Sequence, residues 1–339
     1  MLRFLALSGV LLFSISARAQ TQNRWNGPLP VRNERPFQSA FLHFEPLSPD
    51  VSPRGQGSYG LAFHVANNLL IPRDSLGSQV EEDFETGRAE LHFSRGVGHN
   101  TEVGARVNFL VRDGGSFDNF ISFYHRVFGL PGNGPDNPRG RDNIPRGRDI
   151  LRFRDAQGNG VNQGGAFGFG DTILEARRAL SSGDFASTVR LGLKIPTGNG
   201  TRILGSGGTD FGIGLDARRA FGSRLALFGD VGAFVYGNSK IPNAAKSGAQ
   251  AGLGFELRAG NRDSFVAQID AQTRTVRTGN SFADRVPVLA SVGYKRRLSK
   301  RKTLFVSFSE NGDYTNYHAP AFGNIGPDLT LSVGLQVRR

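Results

Sequence analysis

Apolar and polar residues alternate along most of this chain from Tyr59 onward. Residues 102–109, for example, read EVGARVNF, and a comparable alternation ends the chain at 329–337. A period of two is typical of β-strands with one apolar and one polar face. The alternation predicts twelve strands, at 58–67, 86–95, 101–110, 168–180, 186–196, 209–221, 224–237, 246–259, 263–276, 285–298, 302–311 and 328–337.

The predicted connections are short and long in turn. Short links at 96–100, 181–185, 222–223, 260–262 and 299–301 alternate with longer ones at 68–85, 111–167, 197–208, 238–245, 277–284 and 312–327. Periplasmic turns and extracellular loops of outer-membrane barrels have this rhythm, whereas a soluble β-sandwich has no reason to keep it. We therefore predict an all-β fold, a transmembrane antiparallel up-and-down β-barrel of about twelve strands.

One face of the predicted strands is apolar and has no basic residue near its middle. Lys or Arg near the bilayer midplane would cost about 2–4 kcal/mol, which assigns this face to lipid. Arg178, Arg219 and Arg296 share the face, but they lie at strand ends predicted to be periplasmic, where they can reach lipid headgroups. The outward set is Leu91, Phe93, Val103, Val107, Leu191, Leu193, Ile213, Leu215, Val231, Leu253, Phe255, Ile269, Val292, Leu331 and Val333.

The opposite face carries the charges of the strands. They either line a selective path for a polar or ionic solute, or neutralise one another in a narrow lumen. The lumen-lining candidates are Arg88, Glu90, Glu102, Arg106, Asp171, Glu175, Arg190, Lys194, Asp216, Asp230, Asp270 and Arg274.

Two hairpins allow a register to be predicted from these charges. Symmetric pairing about Gly98 sets Glu90 opposite Arg106 and Arg88 opposite Asn108. A hairpin centred between residues 182 and 183 sets Glu175 opposite Arg190, and Asp171 opposite Lys194. Each directly opposed ion pair would contribute a few tenths of a kcal/mol to about one.

The chain begins with features of a secretory signal. Arg3 gives a basic start, 4–15 an apolar core, and Ala17-Arg18-Ala19 a small-x-small cleavage motif. We expect residues 1–19 to be removed and 58–339 to form the barrel. The proline-rich residues 20–57 are either a periplasmic lead-in or a partial plug in the barrel mouth.

Composition and net charge restrict the binding partners that can be expected. The formal net charge is +12, which in an exported protein favours lipopolysaccharide phosphates and anionic lipid over nucleic acid. The chain has no Cys, so disulfides and thiolate metal sites are excluded. We expect no cofactor and no metal, and the outer membrane of a Gram-negative-type bacterium as the location.

The longest predicted loop contains a helix-like stretch and an arginine-rich stretch. Apolar residues at helical spacing, which could form a constriction or pack over the rim, are Phe117, Phe120, Ile121, Tyr124, Val127 and Phe128. After them, arginines alternate with Gly, Asn and Asp, which either contact lipopolysaccharide phosphates or lie in a solvated loop. The lipopolysaccharide-contact candidates are Arg139, Arg141, Arg146 and Arg148.

Several phrases resemble those of an uncharacterised, domain-of-unknown-function family of outer-membrane barrels. They are the run at 29–37 (LPVRNERPF), the run at 128–131 (FGLP) and the close at 326–335 (GPDLTLSVGL). Residues 168–171 and 194–198 are similar to phrases in barrels linked to aromatic-compound degradation. The resemblance implies a barrel and no established activity. One departure is the end Arg338-Arg339, where such barrels usually present an aromatic residue to the barrel-assembly machinery, an expected partner.

Three functions are compatible with these patterns. The first is a channel or transporter for small solutes, hydrophobic ones included. The second is a plugged structural or adhesive barrel that binds lipopolysaccharide or a partner. The third is a lipid-modifying enzyme, for which His64 and His92 are the inward histidines, although neither has a Ser or Asp at a spacing typical of a triad. We predict no catalytic residue.

Overall fold

The structure is a computed structural model that describes residues 25–71, 79–115, 117–128, 144–310, 322–323 and 327–339. Twelve long antiparallel strands close into a barrel, because β1 pairs with β2 on one side and with β16 on the other. The barrel strands are β1 (Gly57–Leu70), β2 (Gln79–Gly98), β3 (Thr101–Asp113), β7 (Thr172–Ser181), β8 (Phe185–Ile195), β9 (Asp210–Phe221), β10 (Leu225–Val235), β11 (Ser247–Arg258), β12 (Asp263–Gln272), β13 (Val286–Arg297), β14 (Lys302–Glu310) and β16 (Pro327–Arg338).

The remaining elements are short. A first helix, α1 (Pro36–Ser39), precedes the barrel, and α2 (Asp118–Phe128) lies in the longest loop, where the helix was predicted. Four short strands complete the fold: β4 (Ile150–Arg154), β5 (Gly160–Gln163), β6 (Ala166–Phe169) and β15 (Phe322–Gly323). No helix in these parts of the chain is long and apolar enough to cross a membrane.

The barrel prediction is confirmed, and so is the assignment of faces. All of the predicted outward residues are exposed except Val107 and Leu193, which are half-buried. The five short turns lie at one end of the barrel, together with Gly57 and Arg338, and the long loops lie at the other. We call these the turn end and the loop end.

The predicted strand 168–180 is interrupted. Residues 166–169 form β6, and after Gly170 and Asp171 the chain continues as β7, with both pieces paired to β3. The cause is the Asp171 carboxylate, which accepts hydrogen bonds from the backbone N–H groups of Gly198 and Ser206 in the next loop. The extra residue needed to reach this loop forms a bulge opposite β3.

The hairpin of β4 and β5 was not predicted. It continues the wall above β3 by pairing β4 with the loop end of β2. Leu151 and Phe153 of this hairpin are buried. Their alternation with Arg152 and Arg154 spans too few residues to stand out from the arginine-rich stretch around it.

The predicted register of both hairpins is wrong by two residues. Glu90 lies opposite Asn108, and Arg106 opposite His92, because a bulge at 96–98 moves the turn to 99–100, where Asn100 has a positive φ of 58°. In the second hairpin Glu175 lies opposite Gly192, because the register shifts between Ala179 and Ser181. Two expected ion pairs still form diagonally: Lys194 contacts Asp171, and Arg190 lies 3.7 Å from Glu175.

Candidate functional site

The lumen of the barrel is occupied by residues 25–56, which we call the inner segment. Trp25 lies at the turn end, packed against Ala226 and Phe228. The chain rises along residues 25–34, the ascending limb, to α1 at the loop end. It then descends along 41–52 and leaves at the turn end, where Arg54 bridges to Gly96 just before β1 begins. The inner segment therefore enters and leaves at the same end of the barrel.

Two glutamines of the wall hold the inner segment by its backbone. Gln268 accepts from the Leu29 N–H at 2.8 Å and donates to the Leu29 carbonyl at 3.2 Å. Gln250 makes the same pair of bonds to Phe44, both at 2.8 Å. Each side-chain amide thus replaces the neighbouring strand that Leu29 and Phe44 would otherwise need for their backbone groups.

Carboxylates of the wall satisfy further backbone donors. Glu256 accepts from the Gly27 N–H at 2.9 Å, and Asp210 accepts from the Leu42 N–H at 2.9 Å. Within the described residues, 25–52 make no backbone-to-backbone hydrogen bond to the wall. Residues 25–52 are therefore held by side chains, and their removal would leave the barrel ladder intact.

An ion network crosses the middle of the lumen. The fully buried Arg88 guanidinium contacts Glu34 of the ascending limb at 2.8 Å, Glu45 of the descending limb at 3.2 Å, and its strand neighbour Glu90. Arg106 contacts Glu45 at 3.1 Å and Glu175. One arginine of β2 therefore joins both limbs of the inner segment to the wall.

The two glutamates of the inner segment are held ionised by this network. Burial alone would raise the pKa of the Glu45 carboxyl, but Arg106, Arg88 and Arg32 lower this pKa well below its usual range. Burial likewise opposes ionisation of Glu34, yet Arg88 and Arg32 lower its pKa. Both carboxylates are charged at neutral pH.

The loop end of the lumen is closed by apolar packing. Phe37 of α1 meets Phe153 of β4 edge-on, with ring centroids 5.5 Å apart, and Phe41 lies 5.0 Å from Tyr236. Arg35 anchors the same tip through an ion pair to Glu82. The β4–β5 hairpin and the tip of the inner segment thus bury each other.

Most predicted lumen residues point inward and are buried. These are Arg88, Glu90, Glu102, Arg106, Asp171, Glu175, Arg190, Lys194 and Asp216. Asp230 and Asp270 are half-buried and face each other across Gly252. Arg190 binds Asp216, with Nε 3.1 Å from Oδ2, and Arg177 binds Glu102 at 3.1 Å.

Arg274 is a correction to the predicted set. It is exposed, because β12 ends at Gln272 rather than at the predicted 276 and Arg274 therefore lies in the following loop. There its guanidinium donates to the Asp284 carbonyl at 2.9 Å.

The loop candidates are partly described. On α2, Phe120 and Val127 are exposed. Phe117, just before this helix, is half-buried, and its ring lies 6.2 Å from that of Phe120. The side chains of Ile121, Tyr124 and Phe128 lie outside the described part, as do Arg139 and Arg141. Arg146 is exposed and donates to Asn119, whereas Arg148 pairs with Glu81 and lies 3.6 Å from Asp83.

The inward histidines lack the arrangement of a triad. His64 Nδ1 lies 2.8 Å from the Ser332 hydroxyl, but its Nε2 has no hydrogen-bond partner among the described residues. A triad needs a carboxylate on that second nitrogen. His92 is half-buried. Within the described ranges no three His, Asp or Glu side chains are grouped as a metal site would require.

Sequence reasoning missed the residues that hold the inner segment. Gln250 and Gln268 are neutral, so a pattern of charges does not reveal them. Glu34 and Glu45 lie in a segment whose sequence is compatible with both a lead-in and a plug. A signal was present, because Phe37, Phe41, Leu42 and Phe44 form an apolar cluster that a solvated arm would have no reason to carry.

Solved structures similar to this chain are outer-membrane channels. The COG4313 outer membrane channel from Pseudomonas putida F1 is 11% identical, with a TM-score of 0.53, covering 88% of this chain and all of that one. The NanC porin is 6% identical, with a TM-score of 0.46, over 83% of this chain and 98% of that one. The P. putida toluene transporter TodX is 10% identical, with a TM-score of 0.37, over 85% and 89%. These likenesses concern the fold.

No curated protein matches the chain in sequence. A family model does match, over residues 6–338, and it is described as protein of unknown function. The match confirms the resemblance to an uncharacterised barrel family, and the chain belongs to the family DUF3187, proteins of unknown function.

Proposed function

We propose that this protein is an outer-membrane channel for small solutes, closed at rest by its own inner segment. Export would use the secretory signal at 1–19, and the barrel would lie in the outer membrane with its long loops outside. The observation that carries the proposal is the way the inner segment is held. Residues 25–52 are attached by side chains alone, so they can leave the wall without breaking a strand ladder.

The ends of the ascending limb suggest how the channel opens. At the turn end this limb is bound to β11, β12 and β13 through Glu256, Gln268 and Lys295, which donates to the Pro28 carbonyl. Its other end is bound to β2 through the ion pair of Glu34 and Arg88 at mid-lumen and through that of Arg35 and Glu82 at the tip. We infer that the limb swings away from β2 while its turn-end attachments persist.

A reversible tether tests this opening. The chain has no native Cys, so Glu34→Cys with Arg88→Cys introduces the only two thiols. A bis-methanethiosulfonate reagent that spans the two positions replaces the ion pair with a covalent bond, and reductant removes it. Purified protein is then recorded in planar bilayers, with heat-shift gels to establish that the barrel is folded.

We expect discrete current steps from the wild type and more frequent steps from the reduced variant, while the tethered variant stays closed. The pair Leu29→Cys with Gly293→Cys is the control. A Cβ on Gly293 would lie 2.7 Å from Leu29, so the two positions adjoin at the end that remains attached. A tether between these two positions should leave the frequency of the current steps unchanged. A silent wild type over a wide voltage range would refute the channel. Equal currents from tethered and reduced Glu34/Arg88 protein would refute this way of opening it.

The buried ion network also favours a second candidate, a structural barrel that stays plugged. Its loops would contact lipopolysaccharide through arginines such as Arg146, which is exposed. This candidate predicts no current from any of the variants. It also predicts that Arg146→Glu weakens retention of lipopolysaccharide by the purified protein, whereas Arg148→Glu, at a position already paired with Glu81, has the smaller effect.

A further inference from the structure

We propose that the channel conducts along one particular part of its wall and accepts small uncharged solutes that carry hydroxyl groups; this inference rests on the proposed channel function. The wall in question consists of β14, β16 and β1, which are adjacent in the barrel, and we call it the neutral wall. It differs from the rest of the lumen in the charge of its inward side chains, in its attachment to the inner segment and in the number of its polar groups that lack a hydrogen-bond partner.

The inward residues of the neutral wall are almost all uncharged. Between Asp328 at the loop end and Arg338 at the turn end, the three strands turn no carboxylate, lysine or arginine into the lumen. They present the imidazole of His64, the ring of Phe305 and small or hydroxyl-bearing side chains, among them Ala62, Ser307, Thr330 and Ser332. A wall of this kind offers no fixed charge to an ion and several hydrogen bonds to a neutral solute.

The inner segment crosses this wall, and its attachments are concentrated elsewhere. The hydrogen bonds and ion pairs that hold it lie on β2, β3, β7, β8, β9, β11, β12 and β13. Leu29 is fixed to β12, and Glu34 to β2. Residues 29–34 can span about 17 Å, whereas five strand spacings of about 4.8 Å measure about 24 Å along the wall. The limb therefore bridges β12 and β2 across the lumen, in front of the neutral wall.

Polar groups beneath this bridge lack partners. His64 Nε2, Ser307 Oγ and Thr330 Oγ1 are buried and have no hydrogen-bond partner among the described residues. They form a patch, because Ser307 and His64 both lie beside Ser332, and Thr330 is two residues along the same strand. Leaving such groups unpaired costs free energy, so they favour any state in which a solute or water reaches them.

A cavity leads to the patch from the turn end. It has a volume of about 110 Å³ and lies between the inner segment, the neutral wall and the adjoining parts of β2, β3 and β7. Gly60, Ala62 and Gln336 line it from the neutral wall, and Pro30 and Glu45 from the inner segment. The side chains that line it from β2, β3 and β7 include Glu90, Glu102, Arg106 and Arg177. When the ascending limb leaves β2, this cavity would join the patch and form a continuous polar path.

Matched hydroxyl deletions test the proposal. Ser307→Ala and Thr330→Val remove two unpartnered groups with little change of shape. Ser309→Ala is the control, because its hydroxyl lies two residues from Ser307 but is already bonded to Ser291 at 2.8 Å. Heat-shift gels establish that each barrel is folded. Binding of erythritol to detergent-solubilised protein is measured by saturation-transfer NMR, and erythritol uptake by swelling of proteoliposomes.

We expect wild-type vesicles to take up erythritol faster than lactate, which has a similar size and one negative charge. Each deletion should weaken erythritol binding and uptake about fivefold, the effect of one neutral hydrogen bond, and Ser309→Ala should match the wild type. If erythritol uptake is unchanged in both deletion variants, conduction along the neutral wall is refuted and the channel function stands. Binding that depends on both hydroxyls without uptake supports the solute site and overturns the channel. Binding that no variant alters, or no binding, means that the patch holds only water.

Discussion

The two sides of the lumen are built on opposite principles. On β2, β3, β8 and β9 the buried Arg88, Arg106, Arg190 and Arg218 each meet a carboxylate, and the inner segment adds Glu34 and Glu45 to the same network. On β14, β16 and β1 the inward polar groups between Asp328 and Arg338 are neutral, and several lack hydrogen-bond partners among the described residues. In the proposed channel the charged wall would therefore stabilise the closed state, and the neutral wall would favour the open one.

The largest effect is expected at Arg88. Arg88→Met leaves Glu34, Glu45 and Glu90 buried without their shared cation, which typically costs about 3–5 kcal/mol. The closed state should lose most of its advantage, and the open probability in planar bilayers should rise steeply. Arg224→Met, at an exposed turn residue, is the control and should leave the current unchanged. A closed Arg88→Met channel would contradict the role of the charged wall.

Acidification should act on the same contacts more gently. The pKa values of Glu34 and Glu45 are lowered in the closed state, so their stabilisation is complete above the ordinary carboxyl pKa of about 4.3 and is lost as the pH falls through the lowered values. Current should be constant between pH 7 and about 5 and should increase below it. The double variant Glu34→Gln, Glu45→Gln should conduct at neutral pH and respond little to acid. A current that falls with acid in both proteins would remove these carboxylates from gating.

The same substitution on the two walls should have unequal effects. Gln250→Leu leaves the backbone N–H and carbonyl of Phe44 unpaired, which costs about 1–3 kcal/mol and should increase the open probability. Gln336→Leu, on the neutral wall, contacts the cavity rather than the inner segment and should leave gating unchanged. Equal gating effects at the two positions would abolish the distinction between the walls.

The smallest expected effects have opposite signs. Ser264→Ala removes a hydroxyl that donates to Glu256 at 2.7 Å and accepts from Asn26, so it should weaken the closed state by about 1 kcal/mol. Ser307→Ala removes an unpartnered buried hydroxyl and should strengthen the closed state by a similar amount. In planar bilayers, the open probability of Ser264→Ala should therefore be higher than that of the wild type, and the open probability of Ser307→Ala should be lower.

The barrel could be predicted from the sequence because lipid and lumen impose opposite chemistry on successive residues. Leu253 and Phe255 had to face outward, since the alternative places apolar groups in the lumen and polar groups in lipid. The registers of the two hairpins could not be predicted correctly from the sequence. The bulges at 96–98 and 179–181 depend on turn geometry, which the charges on the strands do not encode.

The occupied lumen was harder to predict for a different reason. The inner segment has no periodicity, since its groups are satisfied one by one by distant side chains such as Gln268, which is 239 residues from Leu29. Proline at positions such as 30 and 46 excludes regular structure without indicating what replaces it. Only the barrel, once assembled, brings these partners together.

The most direct test of the two-wall account is the accessibility of one position on each wall in the conducting channel. Ser307→Cys and Ser264→Cys each introduce a single thiol, and a small charged methanethiosulfonate reagent is added during planar-bilayer recording. We predict that Cys at position 307 reacts at least about tenfold faster and blocks the current, because the ascending limb stays attached over position 264 when the channel opens. Equal rates, or faster reaction at position 264, would contradict the account.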